Sequence, residues 1–226
     1  GGGSVRDILM NREIKDIDIT TNATPQQIIQ FAAENNLKYI ETGITHGTVT
    51  IIFNNIPIEV TTFRVDKDCD GRHCNVEFVK TLEEDLSRRD FTINSMAIDK
   101  NETLIDLFNG QQDIKNEIIR TVGDPFERFE EDKLRALRAI RFATILDFII
   151  EDTTYNAIKS IDLESISRER IRDELIKILL SDNRLEGIFT LDNTNLLNQI
   201  LPEVSSLKSV EQDEFHHPEK DVFVHT

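Results

Sequence analysis

Cysteine is nearly absent from this chain of 226 residues, where only Cys69 and Cys74 occur. Two such residues exclude a disulfide-dense scaffold and fit a reduced intracellular, cytoplasmic setting. His73 lies beside them, but no fourth ligand is near and the spacing matches no common zinc motif, so zinc is excluded there. No window approaches 18 consecutive apolar residues, which excludes a membrane-spanning helix. No signal-peptide pattern opens the chain. Positive charge is scarce as well: 26 Lys and Arg stand against 42 Asp and Glu, a formal net charge of −16. That balance argues against a generic nucleic-acid binder, which carries a basic excess. The arginines are unevenly placed, however. Arg88, Arg89, Arg120, Arg128, Arg135, Arg138 and Arg141 fall in one third of the chain, which leaves room for a local basic surface.

What is present fits an ordinary soluble globular protein, with 38% apolar and 30% charged residues. The length suits one large domain or two modest ones. The first nineteen residues carry two pieces that organise the rest. In Gly2-Gly3-Ser4-Val5-Arg6-Asp7 the glycines, Ser4 and the later acid predict a turn opening into a capped helix. Such a helix start favours an anion such as a triphosphate, and glycine lets a phosphate approach the backbone. In Lys15-Asp16-Ile17-Asp18-Ile19 a strand's period of two puts both carboxylates on one face and both isoleucines on the other. Two carboxylates side by side repel unless a cation sits between them, so a divalent metal is their natural partner.

Further along, Thr24-Pro25-Gln26-Gln27 predicts a helix start that ends at Asn35-Asn36. Gly47 to Phe53 and Ile56 to Phe63 predict a hairpin through Asn54-Asn55. In its second strand Ile56, Ile58, Val60 and Thr62 share a face, and Glu59 is the one acid on the other. Val65 to Lys80, centred on Asp70-Gly71-Arg72-His73, reads as a mobile polar surface loop. Thr81-Leu82-Glu83-Glu84 is a capping box for a short helix reaching Arg89. Arg88-Arg89-Asp90-Phe91-Thr92-Ile93-Asn94 follows; beside a triphosphate two arginines supply charge-assisted, bidentate bonds, and Asp90 accepts from a ribose hydroxyl. Leu104-Ile105-Asp106 and Ile118 to Gly123 complete the mixed part. After Pro125 only helices are expected. Glu131 to Arg135 is read as a helix start, with Asp132 and Arg135 three apart on one face. Ile166-Ser167 is read as a cap, with Ile166 and Ile171 as a staple and Arg168, Arg170 and Arg172 making the helix basic.

In this order the motifs resemble the polymerase-β-like nucleotidyltransferases, and within them the bacterial-type tRNA nucleotidyltransferase and poly(A) polymerase family. The resemblance implies an α+β fold: a nucleotidyltransferase head over residues 1–125, a helical neck and body over 126–205, and an HD-like region beginning at 206–226. The chain opens directly on its glycine motif and stops inside the segment His216 to Thr226, so both ends read as cut.

The resemblance also assigns roles. Asp16 and Asp18, with Glu59 as third carboxylate, hold two Mg²⁺ ions. Gly2, Gly3, Ser4, Arg6, Arg88, Arg89, Asp90, Asn94 and Arg138 bind nucleotide, and Asp132 and Arg135 read the incoming base. The partners it implies are the tRNA 3′ end, CTP and ATP, with no membrane; it leaves the oligomeric state open. The implied reaction is addition of the 3′-terminal CCA with release of pyrophosphate. Rival readings are an enzyme adding only A, a poly(A) polymerase, an HD-type phosphohydrolase, or a non-catalytic RNA-binding fragment. CC-only addition is opposed by the full-length Val65–Lys80 segment.

Overall fold

The first helix starts on a glycine, not on a side-chain cap. Gly2 takes φ 68° and ψ −131°, no side chain caps the helix, and α1 (Gly3–Leu9) follows directly. This corrects the expected capped start. The positive φ costs glycine little, so the chain turns sharply into the helix one residue before Ser4 could cap it. The structure, a computed structural model, describes residues 1–14, 16–41, 43–67 and 75–210. It divides into two units, Gly1–Asp132 and Lys133–Thr226.

In the first unit β1 (Ile17–Thr21) leads to α2 (Pro25–Glu34). The helix is held by the anticipated capping box, with Thr24 accepting from the Gln27 amide and the Gln27 side chain accepting from the Thr24 amide. Next come β2 (Lys38–Ile40), β3 (Thr48–Phe53) and β4 (Ile56–Thr62). Asn54 and Asn55 hold φ of 50° and 64°, the left-handed pair that a tight two-residue hairpin requires. The sheet order is β1-β4-β3-β2, with β1 parallel to β4 and the remaining pairs antiparallel. Helix α2 covers one face through Ile28 and Ala32, which pack with Val49, Ile51 and Val60. That cluster centres on β3 and β4, so Ile17 and Ile19 on the edge strand stay 42% and 45% exposed.

The segment expected to be a loop from Val65 is a hairpin at both of its described ends. β5 (Arg64–Lys67) pairs antiparallel with β6 (Asn75–Phe78). Asp70-Gly71-Arg72-His73 and both cysteines lie outside the described residues. Then follow α3 (Leu82–Ser87), capped by Thr81, a 3₁₀ turn at Thr92–Asn94, and the pair β7 (Met96–Ile98) and β8 (Leu104–Asp106). α4 (Gly110–Lys115), β9 (Ile118–Ile119) and α5 (Pro125–Glu131) complete the unit. The Phe91 and Thr121 backbones pair, with Thr92 N–H donating to Arg120 O at 2.9 Å and Val122 N–H to Asp90 O at 3.1 Å.

Among its described residues the second unit is helical apart from β10 (Ile149–Ile150), a short strand where only helices were expected. Its helices are α6 (Leu134–Leu146), α7 (Asp152–Lys159), α8 (Arg168–Leu179), α9 (Arg184–Asn193), α10 (Leu196–Ile200) and α11 (Pro202–Ser205). The strand follows Asp147, whose φ of 59° ends α6 in the left-handed region and turns the chain away from helix. Ser167 stands at the start of α8 as expected, but its side chain makes no cap bond. Leu137, Ile140, Ile158, Ile178, Leu191 and Leu196 are fully buried and form the core residues of this unit. Gly187 lets α9 approach closely: a Cβ there would lie 2.6 Å from Ile178 Cγ2 and 2.8 Å from Thr144 Oγ1. Among the described residues no helix is long and apolar enough to cross a membrane. Of the HD-like tail, His216 to Thr226 lies outside the described residues.

Candidate active site

The site begins with a register. β1 pairs with β4 so that Ile17 meets Ile58, Asp18 meets Glu59 and Ile19 meets Val60. Residues opposite one another on paired strands share a face, so Asp18 and Glu59 lie together on the side away from α2. Asp16 lies just before the strand and is exposed. The Ser4 hydroxyl connects the pieces, 3.0 Å from Asp16 O and 3.2 Å from Asp18 Oδ2. Its single hydrogen serves one of them at a time. The Gly1 backbone nitrogen donates to Asp18 O at 2.6 Å.

These carboxylates form an oxygen-only donor set, the chemistry a hard divalent cation takes. Asp18 and Glu59 fit such an ion as neighbours on adjacent strands. Among the described residues no three His, Cys, Asp or Glu side chains converge as a metal cage. Asp16, Asp18 and Glu59 are therefore gathered to one region without forming a closed cage.

A second network lies beneath the glycine turn. Arg6 donates through Nη1 to Asn94 Oδ1 at 2.8 Å, and through Nε and Nη2 to Asp7 Oδ1 at 2.9 and 2.8 Å. Because the Asn94 oxygen faces Arg6, its amide nitrogen turns to Asp90 Oδ1 at 3.1 Å. The same oxygen accepts the Phe91 N–H at 2.8 Å. Gly2 N–H donates to Met96 O at 3.0 Å. A Cβ at Gly2 would sit 2.5 Å from Arg89 Nη1, the mobile end of a long side chain, so it is the positive φ that calls for glycine there. Ser95 is buried and donates to Leu86 O at 2.6 Å, satisfying a carbonyl of α3.

Sequence reasoning missed Asp85. This fully buried carboxylate accepts from Arg88 Nε at 3.2 Å and from Arg89 Nη2 at 3.0 Å. The signal was present as the i,i+3 and i,i+4 spacing of Asp85 to the two arginines. Asp7, which holds Arg6, was likewise passed over as part of a cap.

The expectation for Asp132 and Arg135 needs correction. Asp132 has an extended backbone, φ −147° and ψ 102°, and closes α5; α6 starts afresh at Leu134. They do not share one continuous helical face. The cause lies upstream, where Asp124 accepts from the Phe126 and Glu127 amides and Pro125 occupies the first turn. This cap starts a helix six residues before the expected one. Arg135 is buried, and the Arg138 guanidinium lies 5.7 Å from the centre of the Phe142 ring.

Comparison with known proteins places this geometry in context. A family profile described as "Poly A polymerase head domain" matches residues 1–120, and one described as "Probable RNA and SrmB- binding site of polymerase A" matches residues 147–208. The CCA-adding enzyme of Lactobacillus helveticus (strain DPC 4571) is 44% identical over 215 residues, covering 93% of this chain and 53% of that protein. The CCA-adding enzyme of Enterococcus faecalis (strain ATCC 700802 / V583) is 48% identical over 191 residues, covering 83% and 46%. Among solved structures, the Bacillus stearothermophilus CCA-adding enzyme in complex with CTP superposes with a TM-score of 0.83 at 39% identity, over 91% of this chain and 50% of that one. A tRNA nucleotidyltransferase complexed with a primer tRNA and an incoming ATP analog gives 0.74 at 30% identity, over 92% and 62%. The chain thus spans about half the length of the curated relatives it matches.

Proposed function

Because the chain belongs to the poly A polymerase head domain family, we propose that it is a tRNA nucleotidyltransferase adding the 3′-terminal CCA from CTP and ATP with release of pyrophosphate. The observation that carries this reading is the β1–β4 register, which sets Asp18 beside Glu59 on the face away from α2. The CCA-adding relatives and the CTP complex named above support the choice of substrate.

Two Mg²⁺ ions, held by Asp16, Asp18 and Glu59, would activate the 3′-hydroxyl and neutralise charge on the leaving pyrophosphate. The chain's own groups do the rest. Gly2 and Gly3 leave the backbone open to a phosphate. Arg88 and Arg89 set two guanidinium charges against the single charge of Asp85, so a net positive charge faces the triphosphate. Arg6 fixes the Asn94 amide, Asn94 fixes Asp90, and Asp90 accepts from a ribose hydroxyl. Asp132 supplies an acceptor and Arg135 a donor for the base edge, and Arg138 contributes to nucleotide binding. This assignment rests on the sequence motif.

The test is Asp16→Asn or Asp18→Asn in single-turnover incorporation at saturating Mg²⁺. Neutral amides bind a divalent cation far more weakly than carboxylates do, so incorporation should drop to background with an unchanged circular dichroism spectrum. Near-normal rates in either variant would remove the metal assignment.

A further inference from the structure

We propose that Asp85 is a positioning residue: it sets Arg88 and Arg89 for a triphosphate and locks both to the root of the β5–β6 hairpin. The proposal rests on the nucleotidyltransferase reading above and extends it to a residue and a coupling outside the motifs.

Three donors from different places converge on this one carboxylate. Oδ1 accepts the Arg64 N–H at 3.3 Å and Arg88 Nε at 3.2 Å, and Oδ2 accepts Arg89 Nη2 at 3.0 Å. Arg64 is the first residue of β5, so its amide is the hairpin's root. The Arg64 guanidinium reaches back to the His46 carbonyl, which ties the same root to the turn before β3. Arg89 extends the chain of contacts in the other direction. Its Nη1 donates to Asn94 O at 3.1 Å and occupies the space that a side chain at Gly2 would fill. One buried charge therefore holds the hairpin root, the arginine pair and, through Arg89, the glycine turn.

Asp85 is 0% exposed, whereas the Arg88 and Arg89 side chains are 18% and 15% exposed. A carboxylate without solvent is held in place only if its bonds are made, because an uncompensated buried charge is heavily penalised. Its directional bonds in turn fix the guanidinium planes, and a planar bidentate donor loses specificity when its plane is free to turn. A residue that orients metal ligands without touching the ion alters affinity by about 10–100-fold, and a carboxylate that orients two guanidiniums acts on their ligand by the same logic. A displacement of the hairpin root is felt at the arginines through the same carboxylate.

The experiment uses the 226-residue chain and its Asp85→Asn variant. Asparagine keeps the shape and one acceptor, but it loses the charge and turns an amide N–H₂ toward an arginine donor. Titration calorimetry with CTP and with CMP should give a CTP affinity lowered about tenfold or more, with the weaker CMP affinity held within about twofold. A purely structural role would lower both together or neither. Hydrogen exchange at the Arg64 amide should quicken in the variant. In the unaltered chain that exchange should slow on adding CTP and not on adding CMP, a result that stands even if the variant fails to fold. A CTP-to-CMP affinity ratio that survives Asp85→Asn, or an Arg64 amide indifferent to CTP, overturns the proposal alone. Equal affinity of the unaltered chain for CTP and CMP overturns the nucleotidyltransferase reading and this proposal with it.

Discussion

Asp18 and Glu59 share a face because β1 and β4 pair in one register and no other. A slip by one residue would turn Asp18 to the α2 side and bring Ile17 or Ile19 to the site, since side chains alternate along a strand. At the same scale the base-reading assignment can be tested. Cytosine and adenine each present an amino donor next to a bare ring nitrogen, while uracil and guanine present a carbonyl next to a ring N–H. An acid that accepts beside an arginine that donates matches the first pair. Asp132→Ala or Arg135→Ala should lower the ratio of kcat/KM for CTP to that for UTP by about tenfold. An unchanged ratio in both variants would mean the base is read elsewhere. The placing of Asp18 on the face opposite Ile17 and Ile19 was legible in the sequence because period-two alternation needs only the residue order, whereas Asp16 lies just before the strand. The bond from the Arg64 amide to Asp85 and the bond from Ser4 to Asp18 were not legible, because they join residues 21 and 14 apart in the chain.

Elements with local punctuation were legible. Thr24 with Gln27, Thr81 with Glu84, and Asn54-Asn55 each carry their own stop or start, and each forms where the sequence puts it. The errors arose where two signals competed. The Asp124-Pro125 cap starts α5 early, so the helix ends at Glu131 before the expected one begins. The polar stretch from Val65 reads as loop by composition, yet backbone pairing of Arg64 with Phe78 and of Val65 with Glu77 makes its base a hairpin. Close helix packing also hides from pattern reading, as Gly187 shows. Gly187→Ala would gain in helix propensity, but its Cβ would meet Ile178 and Thr144 well inside contact distance. Overpacking costs about 1–3 kcal/mol, so the expected result is a lowered melting temperature. A raised one would show that α9 can move outward at no cost.

For the molecule as a whole, the concentration of arginines has a different meaning from the one its sequence suggested. Arg88 and Arg89 pair with Asp85, Arg120 with Asp113, Arg128 with Glu131, and Arg141 with Glu174 while stacking on Phe142. Each of these cations is offset by an acid, and Arg88, Arg89 and Arg141 are largely covered while Arg120 stays 40% exposed, which is compatible with a chain of net charge −16. Under the proposed function, recognition of an RNA end would depend on a few placed groups, not on a broad basic field. The most direct measurement of the central claim is extension of tRNA lacking its 3′ end by the 226-residue chain with Mg²⁺, resolved to single nucleotides. CTP alone should add two residues, CTP with ATP three, and UTP or GTP none. Absence of any extension with CTP and ATP, or equal extension with UTP, would contradict the account.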